Sequence, residues 1–196
     1  MVATSERGLA LIDALAATGI GLVMAAMAVP VVGGTFDREH VIIGTQYLAA
    51  QVQRARLESL KRGVAVAVRL EQLDGRTAVQ LFVDGNGNGV LQKDIDRRLD
   101  PALTPEAWLD ERARGVAARI NQAIVDVGAG GVMAAGDDPL RIGNSSLISF
   151  SPMGSATGGT VYVAAHRGPQ MAIRIYGATG RVRVLMFDAQ ARQWRP

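Results

Sequence analysis

Apolar and polar positions divide this chain into stretches of different period. From Leu9 to Val32 an apolar run carries a single charge, Asp13. Wound as a helix at about 1.5 Å per residue it would extend about 36 Å, enough for a hydrocarbon core of about 30 Å. Past Thr35 the pattern becomes helical: Val41, Ile42, Tyr47, Leu48, Val52, Ala55 and Leu57 recur, with Arg54, Arg56, Glu58, Lys61 and Arg62 between them. Gly63 is a suitable stop. The pattern predicts one long helix from Leu9 to about Arg62, apolar all round at first and amphipathic afterwards.

Beyond Gly63 the period shortens to two. Val64–Leu70 and Thr77–Val83 alternate and are β-branched, with Asp74-Gly75 as the turn between them. The stretch from Pro101 to Asp126 predicts a helix around Trp108–Ile124, followed by a glycine-rich loop over Gly128–Gly136. Four more strand-like runs complete the chain, at Leu147–Phe150, Thr160–Ala164, Met171–Tyr176 and Arg181–Phe187. A long amino-terminal helix before a mostly antiparallel sheet is an α+β fold. The expected division is a leader at 1–8, a transmembrane half-helix at 9–32, an amphipathic half-helix at 33–62 and a β-rich domain at 63–196.

Composition narrows the chemistry. With no cysteine there is no disulfide framework, thiolate metal site or cysteine nucleophile. The net charge of +3 is unevenly placed: Ala164–Pro196 holds six arginines and one acid, Asp188, leaving the remainder slightly acidic. A basic end on a weakly acidic body suits an anionic partner. His40 and His166 have no recognisable partner, and no phosphate loop, nucleophile elbow or paired metal ligands occur, so catalysis is not expected.

The apolar run is too long for a secretory signal, and Glu6 and Arg7 cancel in the leader. A plain anchor would leave Asp13 unexplained, because a mid-bilayer carboxylate costs about 2.5–3.5 kcal/mol on insertion scales. In the first helical turn, however, a carboxylate meets the positive end of the helix dipole and can neutralise a terminal amine. A leader ending in Gly8, then Leu9-Ala10-Leu11-Ile12-Asp13 and an apolar helix, resembles the type IV pilin-like signal. The resemblance implies that prepilin peptidase cuts after Gly8 and methylates Leu9. It also implies that Asp13 stands where the family's fifth-residue acid aligns an incoming subunit, and that Pro30 is the helix-bending proline. Leu9, Ala10 and Asp13 depart from the commonest residues at their positions. A generic single-pass anchor is the alternative, and it predicts an uncut amino terminus.

Two further stretches carry candidate chemistry. Asp84-Gly85-Asn86-Gly87-Asn88-Gly89 places oxygens at the first, third and fifth positions of a calcium-type loop. Its closing position is Ile95, which cannot ligate, between Asp94 and Asp96. A tight Asn/Gly turn is the preferred reading over a metal site at Asp84, Asn86 and Asn88. In the second stretch, a four-residue loop at Gly177–Gly180 would set Tyr176 opposite Arg181 and Arg174 opposite Arg183. Ile173, Ile175, Val182 and Val184 would then face the core. The other face would show three arginines and a tyrosine with no carboxylate among them; an ordinary solvated face is the preferred reading over a site for phosphates or acidic side chains.

Together with the signal, three pieces resemble the GspH/FimT branch of the pilin superfamily: Arg54-Ala55-Arg56-Leu57-Glu58-Ser59-Leu60-Lys61-Arg62, Phe82-Val83-Asp84 with its Asn/Gly loop, and Gly180-Arg181-Val182-Arg183. The resemblance implies a minor pseudopilin of type II secretion at the inner membrane, with its globular domain in the periplasm, no cofactor, and other pseudopilins or pilins as filament partners. It also leaves open a FimT-like minor pilin that binds DNA through Arg174, Tyr176, Arg181 and Arg183.

Overall fold

The computed structural model describes residues 6–143 and 145–196, with the side chains of 6–10, 12 and 25–35 outside the description. Helix α1 runs from Glu6 to Arg62 and closes where the Gly63 N–H reaches Ser59 O at 3.0 Å, with Gly63 in the left-handed region at φ 69°. The chain divides into two units, residues 1–36 and residues 37–196.

In the first unit the described apolar side chains are exposed, Leu11, Leu15, Ile20, Leu22 and Met24 among them. The Thr18 hydroxyl bonds back to Ala14 O and Leu15 O, so it presents no unsatisfied polar group. Among the described residues no helix is long and apolar enough to cross a membrane. Part of the run expected to do so, residues 9, 10, 12 and 25–32, lies outside the described side chains.

The second unit is α+β with antiparallel sheets. β1 (Val66–Leu73) and β2 (Arg76–Val83) form a hairpin across Asp74 and Gly75, whose φ values of 50° and 74° are those of a type I′ turn. They belong to a sheet ordered β3 (Ala107–Trp108), β2, β1, β8 (Leu147–Phe150). The second sheet runs β12 (Gln193–Arg195), β11 (Arg181–Asp188), β10 (Met171–Tyr176), β9 (Gly159–Ala164), β4 (Ala117–Ala118), and β7 (Leu140–Ile142) also pairs with β9. A small hairpin joins β5 (Ile124–Val125) to β6 (Val132–Met133).

The main core joins the buried face of α1 (Val41, Leu48, Val52 and Ala55) to β-strand residues such as Val68, Ile148, Val161, Ile173 and Ile175. Gly44 permits the close fit: a Cβ there would lie 2.8 Å from a Val116 methyl. A second cluster, with Tyr162, Ala172, Leu185 and Phe187, joins Ile120, Ile124 and Met133 to the opposite face of the second sheet. A third puts Val90 and Ile95 against Ala67, Phe82 and Leu147.

The expected helix around Trp108–Ile124 is corrected. Only α3 (Leu109–Arg112) forms, because Gly115 takes φ 74° and the chain then extends. Ala117 pairs with Ala164, and the Ala118 N–H is taken by the buried Thr77 hydroxyl at 2.8 Å. The glycine-rich stretch at 128–136 likewise contains β6. α2 (Gln92–Asp96), β7 and β12 were not expected from the pattern, each being five residues or fewer.

Candidate functional site

Local sequence builds the β10–β11 hairpin as expected. Arg174 opposes Arg183, Tyr176 opposes Arg181, and Ile173 and Ile175 oppose Val184 and Val182. Ile173 and Ile175 are buried in the main core, with Val182 and Val184 packed against it half-buried. Arg181 and Arg183 are exposed, and neither is within ion-pair distance of a carboxylate among the described residues.

The tertiary structure changes the rest of that face. Arg174 is half-buried: its Nη1 donates to Thr160 Oγ1 at 2.9 Å, and its guanidinium lies 5.9 Å from the Tyr176 ring. Gly128, in the β5–β6 turn, lies so close that a Cβ there would be 2.8 Å from Arg174 Nη1. Arg141 pairs with Thr160, which pairs with Arg174, which pairs with Arg183. Three arginines and a threonine thus form one row across four strands. At about 4.8 Å between strands the row is about 14 Å long. Arg141 escaped the sequence reading because β7 is three residues long and its partner β9 is remote in sequence. The one signal was the Leu140-Arg141-Ile142 alternation.

The hairpin itself brings no carboxylate to this face, but a segment outside it does. Asp126, 8% exposed, sits at the base of the β5–β6 turn. Its Oδ1 accepts N–H groups from Gly128 and Ala129 and the Tyr162 hydroxyl, and its Oδ2 lies 3.7 Å from Arg141 Nε. Burial pushes the Asp126 carboxyl up, but the Gly128 and Ala129 N–H groups and the Tyr162 hydroxyl outweigh it, and the group stays below its ordinary value. Burial pushes the Tyr162 phenol up to about 12, with Asp126 adding to the shift. Trp194 closes the cluster: its Nε1 donates to Val125 O at 2.6 Å, and its ring tilts against Tyr162 and Phe187.

The Asn/Gly loop is consumed by its own backbone. Asp84 Oδ1 accepts N–H groups from Asn86 and Gly87, and Oδ2 accepts that of Gly89. Asp94 and Asp100 are almost fully buried. Asp94 accepts both the Asn86 and Asn88 side-chain amides, and Asp100 accepts the N–H groups of Gly85 and Leu91. The Asn88 amide, foremost, holds the Asp94 carboxyl below its usual range. Among the described residues no group of three or more His, Cys, Asp or Glu is placed to hold a metal ion.

Of the remaining expected residues, Asp13 is an exposed side chain of α1, and the surroundings of Gly8 and the side chains of Leu9 and Pro30 lie outside the description. His40 is half-buried on α1 and His166 is exposed after β9. Two open grooves, of about 870 and 540 Å³, flank the first sheet. The larger runs between Leu70–Gln72 of β1 and Leu140–Ile142 of β7.

An α+β domain on the amphipathic end of a long helix, with an antiparallel hairpin near its carboxy end, matches one family model, that of type II transport protein GspH, over residues 45–180. The chain belongs to the GspH family. The matched span begins in the second half of α1, covers both sheets as far as the β10–β11 turn, and exceeds half of the chain. No curated protein and no solved structure matches the chain. The family ties this fold to type II secretion and to the pseudopilins, which act as structural subunits.

Proposed function

We propose that this protein is a minor pseudopilin that is cleaved after Gly8, methylated at Leu9 and packed through its amino-terminal helix into a periplasmic filament of a type II secretion system. The GspH match over residues 45–180 carries the reading. The exposed apolar side chains of the first unit support it, since Leu11, Leu15, Ile20, Leu22 and Met24 need either lipid or neighbouring helices to cover them. Asp13 in the first turns of the mature helix would neutralise a subunit's terminal amine. In this role the protein works by assembly, with its carboxy-terminal domain at the periplasmic surface of the filament and its anchor in the inner membrane.

Co-expression with a prepilin peptidase, followed by intact mass and amino-terminal sequencing, tests the proposal. The expected product starts at methylated Leu9, and Gly8→Ala is expected to abolish cleavage. A chain still starting at Met1 would overturn the processing proposed here and favour a GspH-family domain held by an uncut anchor. Asp13→Ala should insert normally but fail to enter the filament, and normal incorporation would remove the role given to Asp13.

The arginine row supports a second reading, a FimT-like minor pilin that captures DNA. Neutralising several phosphates would make its affinity fall steeply with salt. A gel-shift series at rising salt tests this, and no retention at low salt would dismiss it.

A further inference from the structure

The second sheet has a free edge beside the arginine row. Among the described residues β12 pairs only with Met186–Asp188, so Arg181–Leu185 of β11 have β10 on one side and no strand on the other. Backbone groups of an antiparallel strand point alternately to its two neighbours. The Phe187 N–H points to the β10 side, where it donates to Gln170 O at 2.9 Å. By alternation Leu185, Arg183 and Arg181 also bond inward, and Val182 and Val184 turn their N–H and C=O groups outward. Among the described residues nothing takes those four groups.

The side chains of this edge say what would fit. Arg181 and Arg183 are exposed on one face, while Val182 and Val184 are half-buried on the other, against the main core. Five residues at about 3.3 Å each give an edge about 16 Å long. An incoming strand would extend both faces, so its side chains must alternate as those of β11 do. A second copy of β11 is a poor occupant, because paired edges would set arginine against arginine.

We propose that the free edge of β11 binds an extended acidic segment of a partner protein by strand addition, with carboxylates at alternate positions meeting Arg181 and Arg183 and apolar side chains covering Val182 and Val184. The backbone bonds would supply affinity, and the alternation would supply specificity. This surface does not depend on whether the amino terminus is processed.

The test uses the full-length chain in detergent micelles and a synthetic peptide of about seven alternating Glu and Val residues, the length set by the edge. Its control has the same composition with the glutamates contiguous. Amide hydrogen exchange on binding should slow at least tenfold at Val182 and Val184, and not at Arg183, which already bonds to β10. The Arg181→Ala, Arg183→Ala double variant should bind at least tenfold more weakly. Val184→Pro removes an outward N–H and no inward bond, so binding should fall while the unfolding midpoint holds. Should that variant unfold, Arg183→Glu carries the same expectation. Equal binding of the contiguous control, or unchanged exchange at both valines, would overturn the proposal. An oligonucleotide that displaces the peptide without protecting those two amides would do so as well, and would assign the arginines to nucleic acid.

Discussion

At the loop after β2, three aspartates meet backbone N–H groups or asparagine amides of the same loop, and two of them are almost fully buried. At the turn after β10, Arg181 and Arg183 stand opposite Tyr176 and Arg174 with no carboxylate within ion-pair distance among the described residues. Both stretches are punctuated by glycines and dense in charge, yet one is satisfied internally and the other is not. The difference lies in reach. An aspartate is short enough to turn back on its own backbone and does so wherever glycines expose N–H groups. An arginine in a strand projects away from the sheet and has only donors, which a neighbouring strand of arginines cannot accept. Charge in a glycine-rich loop is therefore weak evidence of a ligand, and unmatched charge on a strand is better evidence.

The largest expected effect that would break this contrast is on stability. Asp100→Ala strands the N–H groups of Gly85 and Leu91 beneath the loop. At about 1–3 kcal/mol per unsatisfied buried group, a loss of about 2–4 kcal/mol is expected in denaturant unfolding. A loss below about 0.5 kcal/mol, the range of ordinary surface changes, would mean that the loop is not held internally.

Tyr162→Phe should cost about 1–2 kcal/mol, because the Val127 N–H and Asp126 both lose the hydroxyl. The folded phenol titrates above its ordinary value, at about 12. Its contribution is therefore complete below about pH 10 and is lost as pH rises through about 12. Absorbance titration should show a late tyrosine step that Tyr162→Phe removes. The absence of that step in the unaltered chain would count against a buried Tyr162–Asp126 pair.

A smaller effect is expected in acid, where the Asp94 loop and the Asp126 cluster should weaken together. Asp94 and Asp126 have lowered folded values. Their stabilisation is full above the ordinary carboxylate value of about 3.9 and is lost as pH falls below it. Unfolding midpoints measured down through that range should decline, and more shallowly in Asp94→Asn. An identical slope in that variant would remove Asp94 from the account.

The smallest stability effect should come from Arg181→Ala with Arg183→Ala, within about 0.5 kcal/mol of the unaltered chain. That variant sharpens the comparison, because it should change the binding of an acidic partner and leave the fold alone. A larger loss in thermal unfolding would show that the hairpin arginines hold the sheet together.

Much of this was present in the sequence wherever the determinants are local. The Asp74-Gly75 turn, the Gly63 helix stop and the register of Arg174 against Arg183 depend on short loops and strict alternation, and the structure has each of them. The stretch from Trp108 to Ile124 shows where local reading fails. Its apolar residues recur at helical spacing, yet the backbone is drawn into β4 by β9 and by the Thr77 hydroxyl. Nothing in the segment itself announces either partner.

The sequence alone determined the long helix, the α+β class, the absence of thiol chemistry and the alternation that turns the hairpin arginines away from the core, because period, composition and turn type act over a few residues. Only the tertiary structure decided that Arg141 joins the row through Thr160, that Asp126 and Gly128 lie against that face, and that Val182 and Val184 keep an open edge. Those outcomes rest on pairings between segments far apart in the chain, where the approach of one backbone to another, and not the residues next along, sets what each side chain meets.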